Sequence, residues 1–343
     1  MGKIIHQITI CLFLLIVGHI SAQENWGKCI GLALEGGGDA GAYQVGVLKA
    51  FAENLPRSDI EYDIVTGVSV GSINAMGLAL HDKGKESDAI DWMLKLWSEL
   101  NSSAIYSEWP LGVAEGLFFH EGIYNNYVEL LYLNKTLEMF DDHKIKRMLQ
   151  IETIDIDTGF VAKYDETIDY FDLAHVVRAS TSMPFAFPHV HYDNHTYVDG
   201  GTVWNVDVDG VITRCRDKGF ADKDIILDVI LCNSRTNTTR DETKDYNTIN
   251  NYHRYNEIKA YYGTLSDYLE IMRGYPDVDF RYFLVPQEDL YSGFIPLAFD
   301  HEAILAMIQI GVKEGAEAVK GNPEPAREKV QRLLREAFPK YGY

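Results

Sequence analysis

Residues 34–43, LEGGGDAGAY, and residues 65–72, VTGVSVGS, decide the fold of this chain. In the first stretch, glycines open a helix and leave backbone N–H groups uncovered, which suits an anion or a developing oxyanion. The second stretch has the G-x-S-x-G pattern of a nucleophile elbow, in which glycines let a strand turn sharply into a helix and expose the serine hydroxyl. The two stretches together indicate acyl transfer by a serine. The alternative for the second is a tight turn into a helix with Ser69 as its N-cap.

Strands and helices alternate along the chain. Residues 29–34 are predicted as an apolar strand, 41–51 as a helix, 62–66 as the next strand and 70–81 as a helix of small residues. This order is typical of successive parallel βαβ units, and it places both glycine motifs at the carboxyl ends of strands, where open parallel sheets bind ligands. Further predicted elements are a hairpin over 151–164, strands over 225–232 and 280–285, and a helix over 302–319. The predicted fold class is α/β, a three-layer α/β/α sandwich around a mainly parallel central sheet.

The length and the apolar content bound the domain organisation. With 343 residues, 46% of them hydrophobic, the chain can bury a large core. We expect a single domain over residues 23–343, with a motif-bearing core at about 29–208 and a C-terminal part, 209–343, that completes the sheet and the helical layers.

The N-terminus has the pattern of a secretory signal. Within residues 1–22, Lys3 precedes an apolar run at 8–17, and Ser21-Ala22 offers a small-residue cleavage site. A cleaved signal peptide is the interpretation, and an uncleaved anchor is the alternative. No later stretch is apolar enough for a membrane span. The expected mature protein therefore has no transmembrane segment and is secreted or lies in the lumen of the secretory pathway.

The glycosylation sequons and the cysteines provide further evidence on whether the protein is secreted. Four N-x-[ST] triplets, at Asn101, Asn134, Asn194 and Asn237, fit a secreted glycoprotein. Outside the signal, Cys29, Cys215 and Cys232 are an odd number without metal-ligand spacing, so at most one disulfide can form within the chain. Buried free thiols are the favoured interpretation. The net charge of −20 argues against nucleic acid and against strong attraction to anionic membranes.

A serine nucleophile needs a base, and Asp199 is the candidate. Residues 176–188, VVRASTSMPFAFP, lead through a strand to residues 197–202, YVDGGT. Asp199 precedes two glycines, whose backbone freedom can aim its carboxylate into a cleft. The alternative is an ordinary turn aspartate.

These motifs, in this order, resemble the patatin-like phospholipase family over roughly residues 29–208. The matching residues are Gly36, Gly37, Gly38, Gly41, Gly67, Ser69, Gly71, Asp199, Gly200 and Gly201. The resemblance implies a Ser–Asp dyad, with Ser69 as nucleophile, Asp199 as general base and the N–H groups of Gly37 and Gly38 as the oxyanion hole. It implies a lipase or phospholipase A-type hydrolase that cleaves glycerolipid or phospholipid carboxylic esters at a membrane or micelle surface. The resemblance also implies that the reaction requires neither a metal nor a cofactor.

The chain departs from the family beside the first glycine run. Family members usually carry a basic residue where this chain has Ala40, and the neighbouring residue here is Asp39. Asp39 either favours the N-terminus of the following helix or faces the oxyanion hole and repels anionic substrates. In the second case we expect neutral or zwitterionic esters to be preferred.

Two other functions stay open. An α/β-hydrolase with a Ser-His-Asp triad would need His253 or His301, although neither lies in a recognisable loop motif. A degenerate lipid-binding or storage protein fits the missing basic residue, but it does not fit the retained Ser69 and Asp199.

Three further features each have a structural and a functional interpretation. His189, His191 and His195 alternate along a strand, where surface histidines are favoured over a metal set. Asp155 and Asp157 are favoured as turn residues over calcium ligands. The aromatic segment 106–124 is a candidate lid or interface loop, with core packing as the alternative.

Overall fold

The computed structural model describes residues 27–232, 246–288, 290, 297–321 and 324–340, without the side chains of residues 249, 253 and 257. The predicted signal peptide and the sequon at Asn237 lie outside these residues. Among the helices of the described ranges, none combines the length and the hydropathy needed to cross a membrane.

Eight strands form one mixed sheet. Their order across the sheet is β5-β6-β3-β2-β1-β7-β8, and β4 pairs with β3 beside this path. Strands β3, β2, β1, β7 and β8 are parallel neighbours, whereas β4, β5 and β6 are joined by antiparallel pairs. The strands are β1 (Cys29–Leu34), β2 (Ile64–Val68), β3 (Met148–Asp155), β4 (Phe160–Asp165), β5 (Val190–Tyr192), β6 (His195–Asp199), β7 (Ile225–Ile230) and β8 (Asp279–Leu284).

Helices connect and cover these strands. In the described ranges they are α1 (Gly41–Asn54), α2 (Arg57–Ile60), α3 (Val70–Ala79), α4 (Glu86–Glu99), α5 (Ser102–Ile105), α6 (Val113–Phe119), α7 (Tyr127–Leu137), α8 (Leu173–Thr181), α9 (Val208–Asp217), α10 (Thr248–Gly274), α11 (His301–Ala318) and α12 (Ala326–Ala337). Short 3₁₀ turns at Gly38–Ala40 and Gly200–Thr202 adjoin the predicted site.

The sheet has a hydrophobic cluster on each face. Along β1, Leu32 and Leu34 join the cluster with α1, α3, α4, α7, α8 and α11, while Cys29 and Ala33 join the cluster with α9, α10 and α12. This alternation follows from the two-residue period of a strand. The structure thus confirms the predicted three layers and the mainly parallel sheet.

Most of the predicted elements are present within a few residues of their expected ends, but the long helix α10 is not among the predictions. It begins at Thr248, within a polar segment of the sequence. The C-terminal half of α10 buries Tyr261, Leu265 and Tyr268 against the sheet. These apolar positions follow the polar segment, so the local composition of that segment did not reveal the helix.

The prediction of free thiols is wrong for two of the three cysteines. Cys29 of β1 and Cys215 of α9 form a disulfide, and Cys232 is free and buried as predicted. Cys29 and Cys215 are 186 residues apart in sequence, and they meet because α9 packs on β1. A bond that closes so long a loop restricts the unfolded chain strongly.

Helices α1 and α11 lie in unusually close contact. A Cβ atom on Gly46 would lie 2.2 Å from the carbonyl oxygen of Ile308, and one on Gly311 would lie 2.2 Å from that of Tyr43. The two glycines therefore let the helix backbones touch. This contact holds α1, and with it the glycine turn that precedes α1, against α11.

We predict that Gly46→Ala lowers the free energy of unfolding by about 1–3 kcal/mol, since the added methyl group overlaps backbone atoms of α11. Gly263→Ala is the matched control, because a Cβ there meets nothing within 4 Å. It should raise helix stability by about 0.5–1 kcal/mol. Urea unfolding measures both variants, and equal loss of stability in the two would contradict the α1–α11 contact.

Candidate active site

The two glycine motifs meet at the carboxyl edge of the sheet. Strands β1 and β2 are parallel, and Leu34 is paired with Gly67. A Cβ on Gly67 would lie 2.3 Å from the carbonyl oxygen of Gly71, and a Cβ on Gly71 would lie 2.4 Å from that of Leu34. Only glycine fits at these two positions, which explains the spacing of the motif.

Ser69 occupies the turn between β2 and α3. Its φ angle of 52° lies in the left-handed region, where a residue other than glycine is strained. The Ser69 N–H donates to Ser180 Oγ at 2.9 Å, and Ser180 Oγ donates to the Glu152 carbonyl at 2.7 Å. Although Ser69 stands at the N-cap position, its side chain makes no capping hydrogen bond. The Ser69 side chain instead interacts with the Asp199 carboxyl, and this interaction lowers the pKa of Asp199.

Asp199 is the last residue of β6 and is buried. Its N–H donates to the Ser182 carbonyl at 2.9 Å, and its Oδ1 accepts the Gly201 N–H at 2.7 Å. A Cβ on Gly200 would lie 2.6 Å from the Glu152 carbonyl oxygen, so the chain turns directly against β3. Burial raises the pKa of Asp199 to about 7, although the hydrogen bonds from Ser69 and Gly201 act in the opposite direction.

The first glycine run lies against Ser69. A Cβ on Gly36 would lie 2.8 Å from the Ser69 Cβ. Asn205 makes two hydrogen bonds to Gly36. Its backbone carbonyl accepts the Gly36 N–H, and its side-chain Nδ2 donates to the Gly36 carbonyl, both at 3.0 Å. Gly37 and Gly38 follow, and among the described residues neither N–H has a hydrogen-bond acceptor. These two donors are therefore available to an anion. Gly41 begins α1 and lies against Val70 and Trp97.

Ser69, Asp199, Gly37 and Gly38 line one cavity of about 580 Å³, together with Gly36 and Asn205. Its other walls are mainly apolar, from Val70, Ile73, Ile105, Met183, Pro184, Phe187, Leu297 and Phe299. An apolar cleft with a few polar groups at one end suits an acyl chain whose ester carbonyl reaches those groups.

No histidine of the described residues lines this cavity. His301 is exposed at the first position of α11, and the side chain of His253 lies outside the described part of the chain. The structure therefore gives no support to His301 as the third member of a triad.

Asp39 and Ala40 do not lie on the cavity wall. Asp39 is 1% exposed within the Gly38–Ala40 turn, and Ala40 is part of the hydrophobic cluster that includes α1. Asp39 makes no side-chain cap either. The condition for its repulsion of an anionic substrate, namely that it faces the oxyanion hole, is not met.

Sequence reasoning missed several residues that hold the site. Ser180 and Ser182 fix the backbone of Ser69 and of Asp199, and both lie in the stretch 176–188, which is part of the family resemblance but has no predicted role of its own. Asn205 and Glu129 also line the cavity. Neither belongs to a motif, so only the three-dimensional structure reveals them.

The histidines of the β5–β6 hairpin do not form a metal set with one another. His189 and His191 have ring centroids 4.8 Å apart, whereas the Nδ1 of His195 lies 2.9 Å from Asp155 Oδ2. Asp155, Asp157 and His195 have ligand atoms close enough for a metal ion, within the described ranges. Asp155 Oδ1, however, accepts the N–H groups of Asp157 and Thr158, as a turn aspartate does.

Comparisons with known proteins complete the description. The family model of patatin-like phospholipases matches residues 32–212, which is more than half of the chain and includes every motif described above. Among curated proteins, none matches the chain at a significant level. Among solved structures, VipD from Legionella pneumophila is similar, with 13% identity over 85% of this chain and a TM-score of 0.38; the match spans 66% of the VipD chain. The family match, on a chain with this fold, shows that the protein belongs to the patatin-like phospholipase family.

Proposed function

We propose that this protein is a serine acyl hydrolase that cleaves carboxylic esters of glycerolipids or phospholipids. Membership of the family supports lipid acyl hydrolysis in general terms. The observation that carries the specific proposal is that Ser69, on its strained turn, lines the same cavity as the buried Asp199 carboxyl and interacts with it. A nucleophile within hydrogen-bond reach of a base is the arrangement that covalent acyl transfer requires.

In the first half-reaction, Ser69 Oγ attacks the ester carbonyl carbon while Asp199 accepts the hydroxyl proton. The tetrahedral oxyanion takes hydrogen bonds from the N–H groups of Gly37 and Gly38. When the intermediate collapses, the bond to the leaving alcohol oxygen breaks, and Asp199 returns the proton to that oxygen. The acyl-serine ester is then hydrolysed by a water molecule that Asp199 deprotonates, and the proton returns to Ser69. A histidine is not needed at any of these steps.

The pKa of Asp199, raised by burial to about 7, sets the direction of the pH dependence. Below this value the carboxyl is protonated and does not accept the serine proton, so kcat/KM should fall as the pH falls through about 7. Above it, the base form is fully populated.

The central experiment is reaction with a fluorophosphonate followed by peptide mapping. Label on Ser69 that is absent from Ser69→Ala supports the proposal. If no residue is labelled, the protein is a lipid-binding protein without an activated serine.

We predict that Asp199→Asn and Ser69→Ala both reduce esterase kcat, by on the order of 10³–10⁴, because each removes one half of the same unit. His301→Ala and His253→Ala are the controls and should keep most of the activity. Steady-state kinetics on a soluble short-chain ester measures all four variants. A loss in either histidine variant as large as that of Ser69→Ala would favour a triad.

We predict that hydrolysis survives excess EDTA, since backbone N–H donors at Gly37 and Gly38 can stabilise the oxyanion by about 10²–10³ in rate for each donor. The measurement is initial velocity with and without chelator, with added calcium as the reversal. Activity that disappears with EDTA and returns with calcium would show that these donors do not act alone.

We further propose that the enzyme meets its substrate at a lipid surface. Four side chains, which we name the apolar patch, are exposed on and beside α6: Leu111 (79%), Leu117 (52%), Phe118 (74%) and Phe119 (79%). Tyr106 and Tyr124, from the same aromatic segment, pack against each other with ring centroids 4.5 Å apart. The expected interface loop therefore divides into an inward part and an outward part.

The segment that follows the apolar patch in the chain is hydrogen-bonded to the segment that lines the cavity. The N–H of Ile123 donates to the Phe185 carbonyl at 3.0 Å, and that of Tyr124 donates to the Ala186 carbonyl at 2.9 Å. Phe185 is itself exposed, and its neighbours Met183, Pro184 and Phe187 line the cavity. Exposed apolar side chains that continue into a lipid-sized cleft suit insertion among lipid headgroups.

The charge around the patch selects the kind of surface. Residues 96–134 contain no lysine or arginine, while Glu108, Glu115 and Glu121 surround the patch in sequence. Because an acidic rim gains nothing from an anionic membrane, we propose a zwitterionic lipid surface as the partner.

We predict that Phe118→Ala with Phe119→Ala, made in Ser69→Ala protein, weakens binding to phosphatidylcholine vesicles at least about tenfold, since each phenyl group contributes about 1.5–3 kcal/mol when it leaves water. Phe160→Ala is the control, because Phe160 is 74% exposed on β4 and lies outside the patch. Vesicle co-flotation measures the binding. Unchanged binding of the double variant, or tighter binding to phosphatidylglycerol vesicles, would contradict this surface.

A secretory location is also a proposal. The Cys29–Cys215 disulfide supports an oxidising compartment. The sequon residues Asn101 and Asn194 are exposed, and Asn194 lies in the turn between β5 and β6, where a glycan can be accommodated.

A further inference from the structure

Glu129 is a buried acid in the wall of the cavity that the proposed reaction does not use. It lies in the first turn of α7 and is 1% exposed. A buried carboxyl beside a reactive dyad is energetically unfavourable, so its contacts bear directly on what it does there.

Hydrogen bonds connect Glu129 to the backbone that holds Asp199. Thr181 Oγ1 donates to Glu129 Oε1 at 2.7 Å, and Asn126 Nδ2 donates to Glu129 Oε2 at 3.2 Å. The same Asn126 Nδ2 lies 3.0 Å from Ser182 Oγ. The Ser182 carbonyl in turn accepts the Asp199 N–H. Glu129 is thus two residues removed from the base along an unbroken set of contacts.

The charged groups around Glu129 come from several elements. From α8, Arg178 donates to Asn126 Oδ1 at 3.0 Å and 3.3 Å, so this amide contacts both the cation and the Glu129 carboxylate. Asp199 at the end of β6, and Lys259 and Asp267 of α10, line the same cavity. Helix α5 also contacts α7, but it has no titratable residue. The ring of Tyr127, on α7, lies against the Arg178 guanidinium.

Burial raises the pKa of Glu129 to about 7, and the negative charge of Asp199 raises it as well. The hydrogen bonds from Thr181 and Asn126 and the positive charge of Arg178 lower this pKa by a smaller amount. Asp199 and Glu129 therefore gain and lose protons in the same pH range. When two such groups interact, each ionisation hinders the other, and the protons leave over a wider range than a single group would show.

We propose that Glu129 is a positioning residue for the dyad, one that fastens the Thr181–Ser182 turn beneath Asp199 and acts on the Asp199 carboxyl through its own charge. This inference rests on the proposed function of Asp199 as the base. Its consequence is that the pH at which the enzyme becomes active belongs to the pair of carboxyls and not to Asp199 alone.

The experiment is the pH profile of kcat/KM on a water-soluble short-chain ester for the wild type, Glu129→Gln and Thr181→Ala. In the wild type we expect the fall of kcat/KM on the acid side of the profile, its acid limb, to extend over a wider pH range than the titration of one proton. In Glu129→Gln the second charge is gone, so the limb should become a simple one-proton curve with its midpoint lower by about 0.5 pH unit or more. Thr181→Ala removes a donor that favours ionised Glu129, which delays that ionisation and should move the limb in the same direction.

Glu314→Gln is the matched control. Glu314 is also a buried glutamate with hydrogen bonds, from the Tyr43 hydroxyl at 2.9 Å and from the Gln287 N–H, but it does not line the cavity. It should leave the shape and the midpoint of the limb unchanged.

The outcomes separate a positioning role from a structural one. A lower and narrower limb in Glu129→Gln, or in Thr181→Ala if the first variant does not fold, supports the proposal. An even loss of activity at every pH, with the limb of the wild type, overturns it. Full activity in Ser69→Ala, measured in the same assay, would instead overturn the proposed function of the dyad.

Discussion

The contact between the first turn of α3 and the end of β1 determines the geometry of the site. Gly71 lies so close to the Leu34 carbonyl that any side chain would overlap it, and Gly67 lies as close to Gly71. With strand and helix held this near, the single residue available to turn the chain is forced into the left-handed region. That residue is Ser69, and its side chain does not cap α3 but interacts with Asp199.

A second constraint couples the two halves of the proposed dyad, Ser69 and Asp199, which lie 130 positions apart in the chain. The end of α8 contacts both: Ser180 accepts the Ser69 N–H, and Ser182 accepts the Asp199 N–H through its carbonyl. Because Ser180 also donates to the Glu152 carbonyl of β3, this turn is tied to the centre of the sheet. The relative position of Ser69 and Asp199 is thus set by a short segment to which the proposed mechanism assigns no chemical step.

The sequence was informative where one local pattern implies one backbone. The glycine spacing around Ser69 predicted the strand, the turn and the helix, and short apolar runs predicted β1 and β7. It was uninformative where distant residues must meet. Cys29 and Cys215 pair only because α9 packs on β1, and Glu129 faces the dyad only because α7 packs on α8. Helix α10 was missed because its polar first turns resemble a loop in composition, and its apolar positions follow later.

Several features of the site also lower the free energy of unfolding. Ser69 holds a strained φ angle, and the buried carboxyls of Asp199 and Glu129 bind protons more tightly than they would in the unfolded chain. Since the folded pKa of each acid is raised, folding becomes less favourable as the pH rises from the unfolded pKa to about 7. The close α1–α11 contact and the disulfide lie outside the cavity and stabilise the same sheet. For Asp199 to act as the proposed base, its carboxyl must be kept from water, and the rest of the fold has to offset the free energy of keeping it there.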